Sequence, residues 1–154
     1  MSMSDTSHVQ IRELDQAEAQ AILARNHLGR LAFTFHDHVD IEPIGYVYAN
    51  GVINCRTSRG AKLGVLRHQP SVAFEVDEVE GPFQWRSVVV HGTVYVAEPE
   101  GSDPDRKAYA EALQALQHAY PGALGSNDPA AFRDVILRLH VGTLRGRAAQ
   151  GGVS

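Results

Sequence analysis

Residues 46–57, YVYANGVINCRT, carry the reading that decides the fold. Asn50-Gly51 stands between two runs of β-branched, aromatic and aliphatic residues. Asn and Gly are the residues that most readily adopt positive φ, and a two-residue type I′ turn needs positive φ at both positions. The stretch therefore predicts two antiparallel strands meeting at 50–51. Upstream, "GRLAFTFHD" (29–37) alternates Leu31, Phe33 and Phe35 against Arg30, Ala32 and Thr34, the period of a half-buried strand. "VDIEPIGYVYAN" (39–50) follows a His36–His38 turn, and its Pro43 and Gly45 predict an edge or a bend where something approaches the backbone.

Downstream the pattern repeats. "SVAFEV" (71–76) places Val72, Phe74 and Val76 on one face. "FQWRSVVVHGTVYVAE" (83–98) is a long strand with Val88, Val90, Val94 and Val96 as a core row. Its other face carries Trp85, Ser87, His91, Thr93 and Tyr95, which is the make-up of an interface. "DVILRLHVGTLRGR" (134–147) reads as the last strand. Three helices break the series. "LDQAEAQAILARNHLG" (14–29) has Asp15 as N-cap and Glu18 at the capping-box spacing. "SRGAKLGVLRHQP" (58–70) is short and ends at Pro70, and "SDPDRKAYAEALQALQHAYPG" (102–122) begins at Asp103 as cap with Pro104 at N1. Six strands, mostly hairpin-linked, with peripheral helices, predict a mainly β, α+β domain: a six-stranded antiparallel split barrel of Greek-key character.

Composition bounds the rest. A chain of 154 residues suits one domain, here 1–154, with 1–10 and 148–154 expected to be flexible. A net charge of −4 argues against a nucleic-acid binder. A single cysteine, no apolar run long enough to span a bilayer and no signal-peptide pattern place the expectation in the cytoplasm. Against that acidic background, "RTSRGAK" (56–62) gathers Arg56, Arg59, Lys62, Thr57 and Ser58 at the start of a helix. Free N–H groups and the helix dipole favour an anion there, and hydroxyls and cations add donors. A solvated turn with Ser58 as a plain N-cap is the plainer alternative. No Walker or G-x-G-x-x-G motif occurs. His36 and His38 lack further ligands at a metal-site spacing, so no metal is expected.

The ordered set "LGRLAF", "IEPIGYVYANGVINCRT", "GAKLGVLRHQPSVAFEVD" and "WRSVVVHGTV" resembles the pyridoxamine 5′-phosphate oxidase-like, FMN-binding split-barrel superfamily over about residues 14–100, and "LRLHVGTLRGR" fits its last strand. The resemblance implies a homodimer with flavin mononucleotide (FMN) held at the dimer interface. By position, Lys62 and the Arg56–Thr57 pair, with Ser58, match the phosphate-binding strand end and helix start. Ile44 and Tyr46 match the strand that flanks the flavin ring, and Ser87, with Trp85 two residues away, matches a polar flavin contact. Ala61 stands where true pyridoxamine phosphate oxidases carry an arginine, and their C-terminal substrate pattern is absent. The likeness is therefore to the small actinobacterial-type and nitroimidazole-reductase-like branches. The function implied is a flavoprotein oxidoreductase passing electrons from reduced nicotinamide to a small acceptor, with no catalytic acid or base assigned. The alternatives are a deazaflavin- or haem-binding barrel, or a non-catalytic flavin-binding, stress-related module.

Overall fold

The computed structural model describes residues 8–130 and 132–151. The elements run β1 (Gln10–Leu14), α1 (Gln16–Arg25), β2 (Leu28–Phe35), β3 (His38–Ala49), β4 (Val52–Thr57), α2 (Ala61–His68), β5 (Ser71–Gly81), β6 (Gln84–Ala97), α3 (Asp103–Ala119) and β7 (Val135–Gln150). The strands form one antiparallel sheet in the order β1-β7-β4-β3-β2-β5-β6, and β6 pairs back onto β7. That last pairing closes six strands into a ring, with β1 added at the free edge of β7. This is the split barrel that the sequence predicts, with seven strands where six are expected.

The hairpin at the heart of the reading is present. Asn50 has φ 53° and Gly51 φ 78°, with Ala49 opposite Val52. Asp15 caps α1 in a full capping box with Glu18. The cap of α3 is Ser102, not Asp103: its Oγ and the Asp105 carboxylate exchange bonds with each other's backbone N–H, and Asp103 falls in the first turn. Ordered chain extends further than expected at both ends, because β1 pairs Gln10–Leu14 with Gly146–Gln150. Residues 1–7 and 152–154 of the expected flexible ends lie outside the described residues.

The barrel interior is filled by the inward row of every strand in the ring, among them Leu31, Phe33, Ile53, Phe74, Val76, Val88, Val90 and Leu139. Helix α1 closes one end, burying Ala19, Ile22 and Leu23. The outer face of β3 and β7 carries a second apolar layer, where Val47 and Ile136 pack beneath Ala112 and Leu116 of α3. Two tight approaches hold these surfaces together. A Cβ at Gly29 would sit 2.2 Å from the Phe74 ring, and one at Gly92 2.1 Å from the His140 carbonyl oxygen.

The barrel splits beside Pro43. Residues 38–45 of β3 pair with β2, but β4 pairs only with residues 46–49, so the other edge of 38–45 is open among the described residues. Pro43 has no N–H to offer a neighbour at that edge. Strand β4 diverges there through Arg56 and Thr57 and leads into α2. Of the edge or bend expected at Pro43, the structure shows the edge, and it forms the mouth of a groove.

Candidate functional site

The groove at the split has a volume of 380 Å³ and is lined by Phe33, Phe35, Pro43, Asp40, Glu42, Arg133 and the whole turn from Arg56 to Lys62. Gly60 is the N-cap of α2, and no side chain caps the helix. Leu63 N–H donates to the Gly60 carbonyl at 3.2 Å, which leaves the N–H groups of Ala61 and Lys62 available to an anion. A Cβ added at Gly60 would meet nothing within 4 Å, so open space lies directly over the helix start. Ser58 lines the groove and does not cap the helix.

The cations of the turn are less free than their number suggests. Arg56 is pinned to the segment after α3: its Nη2 donates to Asp128 Oδ2 at 2.6 Å and to the Ala130 carbonyl at 3.0 Å, and its Nε to the Arg133 carbonyl at 3.1 Å. The backbone N–H groups of Leu124 and Ala130, then Arg56, hold the Asp128 carboxyl below its ordinary range. Arg56 thus anchors the segment that forms one wall. Lys62 Nζ lies 2.5 Å from Glu42 Oε2 and 3.1 Å from Thr57 Oγ1. Its side chain is 15% exposed and that of Glu42 40%. Arg59 is the exposed cation, 4.0 Å from Asp134 with 72% of its side chain exposed. The turn can therefore present a helix N-terminus, two hydroxyls and two cations to one anion, provided the Glu42 carboxylate moves aside.

Trp85 and Ser87 line a different groove of 360 Å³, with Val89, His91, Arg145 and Arg147. The two grooves share no lining residue. Ser87 Oγ donates to Glu75 Oε2 at 2.8 Å. Burial raises the Glu75 carboxyl above its ordinary range against the opposing effect of that bond, and nearby Asp77 adds to the rise. Ile44 and Tyr46, expected to flank a ring, point into the barrel at 3% and 1% exposure. The Tyr46 hydroxyl donates to the Leu23 carbonyl at 2.6 Å, and burial raises its pKa. Their side chains are core, and what β3 offers the groove is Glu42, two residues before Ile44 on the same strand face, with Pro43 at the open edge. Burial likewise pushes the Cys55 thiol up to about 12, which leaves it an inert core residue. No group of three or more metal-ligating side chains occurs among the described residues.

Sequence reasoning missed Glu42, Asp128, Arg145 and Arg147. The last two had a signal, since Arg145 and Arg147 share a strand face in "LRGR". The first two had none, because each meets its partner only through the fold.

Comparison with known proteins agrees with this architecture. A protein of Mesorhizobium loti described as FAD-binding superposes with a TM-score of 0.70 at 24% identity, over 91% of this chain and 99% of its own. The FAD binding protein of Mycobacterium smegmatis gives 0.64 at 24% identity, over 90% and 100%. A conserved protein of unknown function from Corynebacterium diphtheriae gives 0.61 at 26%, over 90% and 97%. An uncharacterized protein of Rhizobium meliloti is 33% identical over 82 residues, 53% of this chain and 54% of that protein. The chain thus spans about half the length of the curated relative it matches. Among the described residues no helix is long and apolar enough to cross a membrane. The sequence profile of pyridoxamine 5′-phosphate oxidase matches residues 15–148, and the chain belongs to that family.

Proposed function

We propose that the protein binds a flavin, FMN in the first instance, and works as an oxidoreductase between reduced nicotinamide and a small acceptor. One observation carries this reading: the uncapped start of α2 opens into a groove bearing Ser58, Thr57, Lys62 and Arg59. That donor set suits a phosphate monoester, and Phe33, Phe35 and Pro43 supply an apolar side for what the phosphate carries. The family and the two neighbours described as FAD-binding support a flavin.

Bound there, the flavin would supply the two-electron chemistry. The chain's own residues bind and orient it. Lys62 and the helix N-terminus neutralise the phosphate, Thr57 Oγ1 holds the Lys62 ammonium in place, and Arg56 fixes the wall through Asp128. Because the two grooves are separate within one protomer, a second copy is needed to bring Trp85 and Ser87 to a flavin held at the basic turn. The assembly proposed is accordingly a homodimer. Ala61 offers no charge beside Lys62, and Glu42 and Asp40 make the groove's other wall acidic. A second phosphate, that of pyridoxamine phosphate, would meet those carboxylates, so the protein is not a pyridoxamine phosphate oxidase in activity.

The test is direct. Purified protein loaded with FMN should show an oxidised flavin spectrum that bleaches on anaerobic addition of reduced nicotinamide and returns with a quinone or nitro compound. Failure to retain any flavin would refute the cofactor. Rapid formation of pyridoxal phosphate would refute the substrate reading. Bound flavin that no nicotinamide reduces would favour a binding module.

A further inference from the structure

The groove of 360 Å³ around Trp85 has a chemistry of its own. Trp85, Ser87, Val89 and His91 alternate along one face of β6, and Arg145 and Arg147 of β7 line the same groove. The register sets Arg145 opposite Val89 and Arg147 opposite Ser87, so both guanidiniums border one strip of β6. Glu13 Oε1 lies 2.6 Å from Arg145 Nη2, and Arg147 makes no ion pair among the described residues. Two more carboxylates share this part of the sheet, but both are engaged on the far side. Arg30 Nη1 lies 3.3 Å from Asp77 and 3.6 Å from Glu75, and Ser87 Oγ donates to Glu75. Glu75 and Asp77 pair with Val89 and Ser87 across β5 and β6, so they stand two strand spacings from the arginines. That is roughly 10 Å, about a Debye length at moderate salt. The groove therefore holds two guanidiniums against one carboxylate, beside an indole ring.

We propose that this groove is the acceptor subsite and takes a flat aromatic monocarboxylate, whose charge meets Arg147 and whose ring lies against Trp85 and Val89. The class of ligand is read from the groove itself; its role as acceptor rests on the oxidoreductase function proposed above.

The chemistry narrows the class. A guanidinium presents parallel N–H donors that match a carboxylate. A phosphate monoester carries up to two charges, more than the one unpaired cation here meets, and the basic turn offers it a better site. An aliphatic acid keeps the ion pair and forgoes the indole face. A neutral ring keeps the face and forgoes the charge, and a cation opposes Arg147. The volume lies at the low end of small-molecule sites, roughly 300–1,000 Å³, which fits one substituted ring. For a nitroarene the reaction balances simply. A hydride from reduced nicotinamide and a proton from solvent carry off one nitro oxygen as water, leaving the nitroso compound and oxidised nicotinamide.

Trp85 is the chain's single tryptophan, so its indole N–H gives one heteronuclear NMR resonance that needs no assignment. Titrated into the full-length protein, with and without added FMN, benzoate should shift that resonance saturably. Benzamide, which has the ring without the charge, should bind about tenfold more weakly, and cyclohexanecarboxylate, which has the charge without the flat ring, should also lose affinity. Arg147→Gln should weaken benzoate about tenfold and leave benzamide unchanged. In turnover with reduced nicotinamide, 4-nitrobenzoate should exceed 4-nitrobenzamide in kcat/KM about tenfold, and Arg147→Gln should erase the preference. No saturable shift, or equal affinity for benzoate and benzamide, would overturn the subsite. So would release of a monomer by Arg147→Gln, which would show that a second copy's carboxylates cover the arginines instead. Equal turnover of the two nitro compounds would overturn the acceptor role. Selective benzoate binding by a protein that retains no flavin would refute the cofactor and leave the groove's ligand as assigned.

Discussion

If the basic turn holds a phosphate, Glu42 is its competitor, and Glu42→Gln should tighten FMN binding. The Lys62 ammonium sits 2.5 Å from the Glu42 carboxylate, and the same nitrogen must face the phosphate. Two terms set the size of the effect. Glu42 is 40% exposed, so solvent screens the ion pair, and breaking it costs about 0.5–1 kcal/mol. A displaced carboxylate that stays on the same wall also repels the phosphate, by a comparable screened amount. Removing both should lower the dissociation constant about fivefold, roughly 1 kcal/mol. Lys62→Ala acts in the opposite sense, losing a charged hydrogen bond of about 1.5–3 kcal/mol and weakening FMN about tenfold to a hundredfold.

Flavin fluorescence quenching, with riboflavin as the phosphate-free control, measures these effects. Neither substitution should move riboflavin affinity appreciably, and Glu42→Gln should gain only about half as much in a Lys62→Ala background, because the competition for that ammonium is gone and only the direct repulsion of the phosphate remains to be removed. Weaker FMN binding by Glu42→Gln would refute the reasoning. So would an equal loss of FMN and riboflavin affinity in Lys62→Ala, which would show a folding role instead.

The remaining predictions concern assembly and stability. Light scattering at micromolar concentration should give a dimer, and a clean monomer would remove the composite flavin site. Arg25, Asn26 and Arg86 pull the Glu78 carboxyl down to about 2 from its usual 4.5, against the cost of its burial. Its stabilisation is therefore complete above pH ~4.5 and is lost as the pH falls through ~2; Glu78→Gln should cost about 2–3 kcal/mol in urea unfolding at neutral pH, a difference that vanishes in strong acid. Gly29→Ala should destabilise by about 1–3 kcal/mol, since its Cβ would meet the Phe74 ring at 2.2 Å; an unchanged melting temperature would show that Phe74 can move. Tyr46→Phe should lose about 1–3 kcal/mol from the orphaned Leu23 carbonyl and leave flavin affinity untouched, whereas a selective loss of flavin would put Tyr46 back in the site.

What the sequence discloses and what it hides follow from the range of the interactions involved. The Asn50-Gly51 turn, the Asp15–Glu18 capping box and the Val88, Val90, Val94 row all depend on residues a few positions apart, and all three stand in the structure. Strand β1 was not legible because QIREL has a single buried residue, Leu14, so alternation is nearly absent. It is a strand only because β7 presents it an edge. The face of β7 is hidden for a related reason. Between His91 and Gly92 the pairing with β6 skips a residue of β7, at Gly142, which switches the inward row from Leu137 and Leu139 to Leu144 and Ala148 and turns Arg145 and Arg147 outward. A strict period of two, read from either end, misplaces the other half.

The site shows the same division. The basic turn is contiguous, so its gathering of cations and hydroxyls is legible directly, and the groove forms beside Pro43, where the sequence predicts an edge or a bend. Whether each cation is free is a property of contacts 20 or more positions away: Lys62 with Glu42, and Arg56 with Asp128, 72 residues on. Those partners convert a simple count of positive charges into a site with one pinned arginine, one shielded lysine and one exposed arginine. Under the proposed function that makes a weaker resting attraction for anions than the sequence suggests, and a more selective one, because a ligand would have to outcompete a carboxylate to reach Lys62. A phosphate carrying up to two negative charges at a helix N-terminus can do so, while a singly charged carboxylate gains far less from the same exchange.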